Sequence, residues 1–244
     1  MNKKPTTLLL ILPYWREDQK QVEKVARLCS DLLPEFAENA EIMLVTRYDA
    51  PPPSTSIQIA LQQKFNKVHV WKCNRVGDGF PGGCNEMAYG IFNHVLTQRH
   101  MNAGFKNIDV LFLLEGDCVL TRPTWLEELI AAWEDRGDGK HIVGTKQDAI
   151  PDWSNDHINA VALYDPEITR KFPFLVGGPL HVGWDTYHGP ALIPFATDSK
   201  LFKLDYKRPS ITKEELFAKD FPLVYHGVKD NSALEAVRKK WILK

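Results

Sequence analysis

The first half of the chain alternates short apolar runs with stretches in which apolar residues recur every three or four positions, and this alternation constrains the fold more than any other feature. Residues 8–12, 42–46, 68–73 and 110–114 read as strands. The last run is nearly all apolar, as a strand covered on both faces should be. Between the runs, Val22, Val25, Ala26, Cys29 and Leu32 trace one helical stripe, and Met87, Ala88, Ile91, Phe92 and Val95 trace another. Trp125, Leu129, Ile130 and Trp133 supply a third after the fourth run. Pro13 is expected to stop the first strand, and Asp49 with the three prolines at 51–53 to end the second. Thr55 with Gln58 predicts a capping box for a short helix. The order β-α-β-α-β-α-β implies an α/β fold with a mainly parallel, doubly wound sheet flanked by helices. In such sheets ligands bind beyond the carboxyl ends of the strands, so the residues just after each strand are the ones to read for chemistry.

The second half is irregular. Residues 142–145, 159–164 and 223–225 look like strands, separated by long loops rich in Gly, Pro and aromatics. Thr212 with Glu215 and Ser232 with Glu235 predict capping boxes for two late helices. At 244 residues and 44% hydrophobic content the chain can bury a substantial core, and we expect one domain over residues 1–244. Thirty basic against 31 acidic side chains leave a net charge of −1, which argues against a global electrostatic grip on nucleic acid or anionic membrane. Cys29, Cys73, Cys84 and Cys118 form no CxxC pair, so neither a zinc finger nor a disulfide framework is expected, and each reads as a buried thiol. No apolar run approaches membrane-spanning length, and the first has no signal-peptide cleavage pattern, which leads us to expect a cytoplasmic protein.

Two segments carry candidate chemistry. The fourth strand ends Leu113-Leu114-Glu115-Gly116-Asp117. Two carboxylates one residue apart after a buried strand are costly unless a cation sits beside them. A divalent ion bridging to a diphosphate accounts for both acids; a solvated turn is the plain alternative. Near the C-terminus, Leu223-Val224-Tyr225 delivers His226 at a strand end, followed by Gly227, Val228 and Lys229. Imidazole ligates Mn²⁺, and a lysine three residues on suits phosphate oxygens, although a lone histidine at a strand end is often structural. Arg75-Val76-Gly77-Asp78-Gly79-Phe80 follows the third strand and reads either as a phosphate cradle or as a turn. It lacks the spacing of a Walker or dinucleotide fingerprint.

Taken in order, these residues resemble the nucleotide-sugar glycosyltransferases of the GT-A fold. Leu12-Pro13-Tyr14-Trp15-Arg16 is similar to the Pro-Tyr start after their first strand. Glu115-Gly116-Asp117 stands where they carry the DxD motif, with Glu in place of the first Asp. Pro81-Gly82-Gly83-Cys84-Asn85 resembles their Gly-and-Asn entry to the preceding helix, and His226-Gly227-Val228-Lys229 their C-terminal His with a following Lys. The resemblance implies a GT-A-like domain with a nucleotide-binding half, residues 1–120, and an acceptor-side half, residues 121–244. It implies that Asp117 and His226 bind Mn²⁺ or Mg²⁺, with Glu115 facing the metal or the ribose, and that Lys229 neutralises charge on the leaving nucleoside diphosphate. Pro13 and Tyr14 would line the nucleoside, and Asp49 would hydrogen-bond base or ribose. Arg75 and Asn85 complete the expected donor side. A uridine diphosphate sugar is the donor favoured by family frequency.

The loop from Gly177 to Pro190 carries two tryptophan- and tyrosine-type aromatics, Trp184 and Tyr187, and an acid, Asp185. Aromatic faces stack on sugars, and an acid beside them accepts a hydroxyl proton. In inverting members a carboxylate in this region is the base, which makes Asp185 the first candidate and Asp152 the second. Asn159 reads as reaching the donor sugar or as satisfying a loop backbone. The acceptor is expected to be a glycan. Lys203, Lys207 and Arg208 beside Tyr206 form a small basic cluster that keeps a hydroxymethylated base in DNA as a lesser option. A nucleotidyltransferase and a non-catalytic sugar- or nucleotide-binding module are the rival readings; the first normally needs a Gly-rich basic loop after its first strand, which is missing here.

Overall fold

The computed structural model describes residues 4–77, 79–149, 155–205, 210–227 and 230–243. Lys229, Asp152, Tyr206, Lys207 and Arg208 therefore lie outside the described residues. In chain order the elements are β1 (Leu8–Tyr14), α1 (Gln19–Leu32), β2 (Ala37–Arg47), α2 (Thr55–Gln62), β3 (Phe65–Cys73), α3 (Cys84–His100), β4 (Val110–Leu113) and β5 (Cys118–Leu120). They continue with α4 (Trp125–Glu134), β6 (Ile142–Gly144), β7 (Lys146–Gln147), β8 (His157–Ile158), β9 (Ala162–Tyr164), α5 (Ile168–Lys171) and α6 (Trp184–Leu192). The last are β10 (Ala196–Asp198), β11 (Phe202–Leu204), α7 (Lys213–Leu216), β12 (Val224–His226) and α8 (Ser232–Trp241).

A seven-stranded sheet in the order β10-β6-β9-β4-β1-β2-β3 forms the centre. The pairs β3–β2, β2–β1, β1–β4 and β6–β10 are parallel, and only β9 runs against its neighbours. The strand period of two divides the apolar residues between two layers. Leu8, Leu10 and Leu12 pack with α1 and α4 on one face, while Leu9 and Ile11 pack with α3 and α6 on the other. This is the mainly parallel α/β architecture with flanking helices that the alternating pattern predicts. A smaller sheet has β11 parallel to β12 and β12 antiparallel to β5, with His226 opposite Cys118.

Several local expectations need correction. Pro13 does not stop β1, which runs on to Tyr14. Pairing with β4 ends at Ile11, so by Pro13 the only remaining partner is β2 and the missing N–H removes no bond to β4. The cap of α2 is Ser54, whose hydroxyl accepts from Ile57 N, rather than Thr55. Glu23 fixes that serine by accepting its N–H at 2.8 Å and its hydroxyl at 2.9 Å. At α8, Asp230 takes the N–H and hydroxyl of Ser232, so the Ser232–Glu235 box does not form. The Thr212–Glu215 box is present. Residues 159–164 are not one strand: Asn159 Oδ1 accepts Val161 N at 3.1 Å, a side-chain turn that separates β8 from β9. Cys29, Cys73 and Cys118 are buried free thiols, whereas Cys84 is partly exposed.

Gly227 ends β12 at φ +114°, a conformation that side chains rarely adopt, and its N–H donates to Asp117 O at 3.2 Å. Gly227→Ala should therefore lower stability by about 1–3 kcal/mol in urea unfolding and loosen the link between β12 and Asp117. An unchanged midpoint would show that the backbone there adapts freely.

Candidate active site at the carboxyl edge of the sheet

Because β1, β2, β3 and β4 run in parallel, the residues that follow them share one edge. At the end of β4, Leu114 N still donates to Ile11 O at 2.9 Å, after which Cys118 N closes a turn onto Glu115 O at 3.1 Å. Gly116 lets this turn press on α1: a Cβ there would come within 2.8 Å of Val22 Cγ2. The turn presents Glu115 and Asp117 side by side, and the β5–β12 pairing brings His226 between them. His226 Nε2 lies 3.0 Å from Asp117 Oδ1 and 3.1 Å from Glu115 Oε2.

The other ring nitrogen fixes the orientation of this imidazole. Nδ1 stands 3.2 Å from Asn159 Oδ1, the oxygen that also accepts the Val161 N–H. An amide oxygen only accepts, so Nδ1 carries the proton and Nε2 is turned toward the acids. Burial of His226 disfavours its charge, but contacts with Asp117 and Glu115 outweigh this and raise its pKa to about 9. Cys118 completes the group: Asp117, Cys118 and His226 each place one potential ligand atom within 4.8 Å of the other two. Burial pushes the Cys118 thiol well above its ordinary value, and the charges of Asp117 and Glu115 add to the rise.

Around this centre the edge is furnished with polar groups. Asp49 is bound by the Arg47 guanidinium through Oδ1 at 2.6 Å and through Oδ2. That pairing holds its carboxyl below the usual range. Arg47 also lies over the Trp15 and Tyr48 rings, at 5.6 and 5.5 Å. Tyr14 is buried and donates its hydroxyl to Pro51 O at 3.1 Å, and Pro13 is half-buried beside it. At the start of α3, burial followed by the charges of Glu115 and Asp18 pushes the Cys84 thiol up to about 12, with smaller effects from Arg47 and Asp185. Charged groups from the end of β2, the β4 turn and α6 thus lie near the start of α3.

Asn85 and Arg75 hold the segment that leads into α6. Asn85 is buried and donates to Pro179 O at 2.9 Å and Val182 O at 2.7 Å, while its Oδ1 accepts Trp184 N at 2.8 Å. All three bonds tie the loop before α6 and the first residue of α6 to α3. Arg75 reaches Glu86 at 2.5 Å and Val176 O at 3.0 Å, bracing the same loop. Trp184 is buried against Phe92 and Tyr164, with centroids 5.4 and 6.1 Å apart, whereas Tyr187 is exposed. Asp185, in the first turn of α6, accepts Thr186 N at 2.9 Å through Oδ1 and Ala160 N at 3.1 Å through Oδ2. Burial raises its pKa; the charge of His157 opposes the rise and that of Glu115 adds to it. Lys203 extends over Phe221 and Tyr225, at 5.7 and 5.9 Å, behind His226.

Without a bound metal, His226 links stability to pH in a definite direction. Below its unfolded pKa near 6.5 the ring is charged in both states, and the ion contacts contribute fully. Between about 6.5 and about 9 the folded state holds a proton that the unfolded chain has lost, so the contribution falls as pH rises through this window. Metal-free protein should lose on the order of 3 kcal/mol of unfolding free energy across it relative to His226→Gln. Parallel pH profiles for the two proteins would contradict this assignment.

No protein-family model matches the chain, and no curated protein matches it. Solved structures do. Mouse xyloside xylosyltransferase 1 superposes with a TM-score of 0.53 at 12% identity, over 93% of this chain and 98% of that one. The bifunctional glycosyltransferase WbbM gives 0.58 at 9% identity, over 99% of this chain and 51% of that one. The glycosyltransferase GlyE of Streptococcus pneumoniae TIGR4 gives 0.55 at 12% identity, over 98% and 61%. The chain thus spans nearly all of the xylosyltransferase but only about half to three-fifths of the other two. Central sheet, flanking helices and acid-bearing carboxyl edge together have the GT-A-type fold of glycosyltransferases.

Proposed function

We propose that this protein is a divalent-metal-dependent glycosyltransferase that moves a sugar from a nucleoside-diphosphate donor to an acceptor hydroxyl with inversion. The observation that carries the reading is the convergence of Glu115, Asp117 and His226 at the carboxyl edge, with His226 Nε2 within 3.1 Å of both acids. The donor set fits a hard or borderline cation: two carboxylates and an imidazole oriented by Asn159. Asp117 and His226 would hold Mn²⁺ or Mg²⁺, with Glu115 beside them. When bound, such an ion supplies positive charge that stabilises the departing diphosphate.

The remaining work falls to side chains of this chain. Asp49, kept ionised by Arg47, accepts hydrogen bonds from base or ribose; Pro13 and Tyr14 border the nucleoside. Lys229 adds positive charge for the leaving diphosphate. Asp185 takes the proton of the attacking hydroxyl, and its raised pKa makes it a stronger base than an exposed aspartate. Its two backbone N–H donors fix the carboxylate in place. Tyr187, exposed two residues away, offers a ring face to an acceptor sugar. We favour a glycan as acceptor and a uridine diphosphate sugar as donor. Among the described residues no helix is long and apolar enough to cross a membrane.

The test is a donor panel with Mn²⁺, following nucleoside diphosphate release by chromatography. One donor should be turned over, and activity should vanish with chelator and in Asp117→Asn. Pyrophosphate release from a nucleoside triphosphate would instead indicate a nucleotidyltransferase, and binding without turnover a sugar- or nucleotide-binding module. Asp185→Asn should lower kcat by roughly 10²–10⁴-fold with donor affinity retained. Near-wild-type transfer by that variant would remove Asp185 as the base.

A further inference from the structure

We propose that Cys118 gives this metal centre a second binding mode, in which thiophilic divalent ions such as Zn²⁺ and Cd²⁺ are captured by Asp117, Cys118 and His226 together and held unproductively. The inference rests on the metal site just proposed and concerns which ions it takes. Cys118 and His226 are direct partners across the antiparallel β5–β12 pair, so their side chains emerge on the same face. One donor atom from each, with a carboxylate oxygen of Asp117, already lies within 4.8 Å of the others. Around a tetrahedral ion, bonds of about 2.0–2.3 Å place donors about 3.3–3.8 Å apart, so only a modest contraction is required. Among the described residues this is the one group of three or more potential ligands that includes a cysteine.

The chemistry separates the two classes of ion. Mg²⁺ takes oxygen donors, Mn²⁺ takes oxygen donors and tolerates imidazole, and both leave a buried neutral thiol alone. Zn²⁺ and Cd²⁺ form strong bonds to sulfur; as the ion binds, the Cys118 thiol proton and the His226 Nε2 proton pass to the solvent buffer and no electrons are exchanged. Glu115 Oε2 lies 3.1 Å from His226 Nε2 but outside the three-residue group, so a shift of its side chain toward Cys118 would supply the fourth protein donor. A closed shell of four protein ligands is the arrangement of structural zinc, and it leaves no position for a diphosphate.

The test uses the full-length protein and Cd²⁺ alone. Titration should produce a near-ultraviolet sulfur-to-cadmium charge-transfer band that saturates at one equivalent. The band should vanish in Cys118→Ala and Asp117→Asn and persist in Cys84→Ser, which removes the one partly exposed thiol. Cd²⁺ affinity should fall in Cys118→Ala by more than the about 10–100-fold that loss of an outer-shell partner costs. Cys118→Ser serves if the alanine variant does not fold. In parallel, one equivalent of Cd²⁺ should release bound Mn²⁺, read by electron paramagnetic resonance. A band absent from the wild type, or surviving in both Cys118 variants, overturns the inference. Mn²⁺ binding without a Cd²⁺ band refutes only the second mode, whereas failure of the wild type to bind Mn²⁺ refutes the metal site itself.

Discussion

Two carboxylates at the end of a buried strand repel each other and must be balanced by positive charge, and the arrangement of this edge of the molecule follows from that requirement. In the protein alone the balance comes from His226, which touches both acids and keeps its proton to about pH 9. In the proposed site the Nε2 proton stands where a divalent ion would bind, since Nε2 can hold either a proton or a metal but not both. The supports of the ring serve both states. β12 pairs with β5, Gly227 bonds to Asp117 O, and Asn159 holds Nδ1. Gly116 lets the acid-bearing turn lie against α1.

The segment leading into α6 is held mainly by hydrogen bonds to backbone groups. Asn85 spends its amide on three backbone groups of the loop before α6, and Arg75 spends part of its guanidinium on Val176 O. The start of α3 is thereby tied to the helix that carries Asp185. Asn85 and Arg75 thus help set where Asp185 stands. This anchoring also explains why Trp184 is buried while Tyr187 is exposed: α6 anchors itself through the first and turns the second outward.

The parallel half of the fold was legible because its strands and helices are long enough for periodicity to identify them, from β1 through α3. The acids were legible as well, since Glu115 and Asp117 directly follow a strand that reads as buried on both faces. Much less of the second half could be read. Strands of two or three residues such as β8, β9 and β12 have no period of their own and exist through partners distant in sequence. Asn159 carried a recognisable local turn signal, but its bond to His226 depends on a pairing that local pattern does not encode. Cys118 read as an ordinary buried thiol because its relation to His226 is set by cross-strand register alone. The bonds of Asn85 and Arg75 to Pro179, Val182 and Val176 were likewise invisible in the sequence, because they join residues about a hundred positions apart.

The central claim is that Glu115, Asp117 and His226 form one cation site for a nucleotide diphosphate. Crystals soaked with Mn²⁺ and uridine diphosphate, recorded at the manganese absorption edge, test it most directly. The account predicts a single strong anomalous peak bonded to Asp117 and His226 Nε2, with diphosphate oxygens completing the shell. A nucleotide bound with no manganese peak near His226, or a peak remote from all three residues, would contradict it.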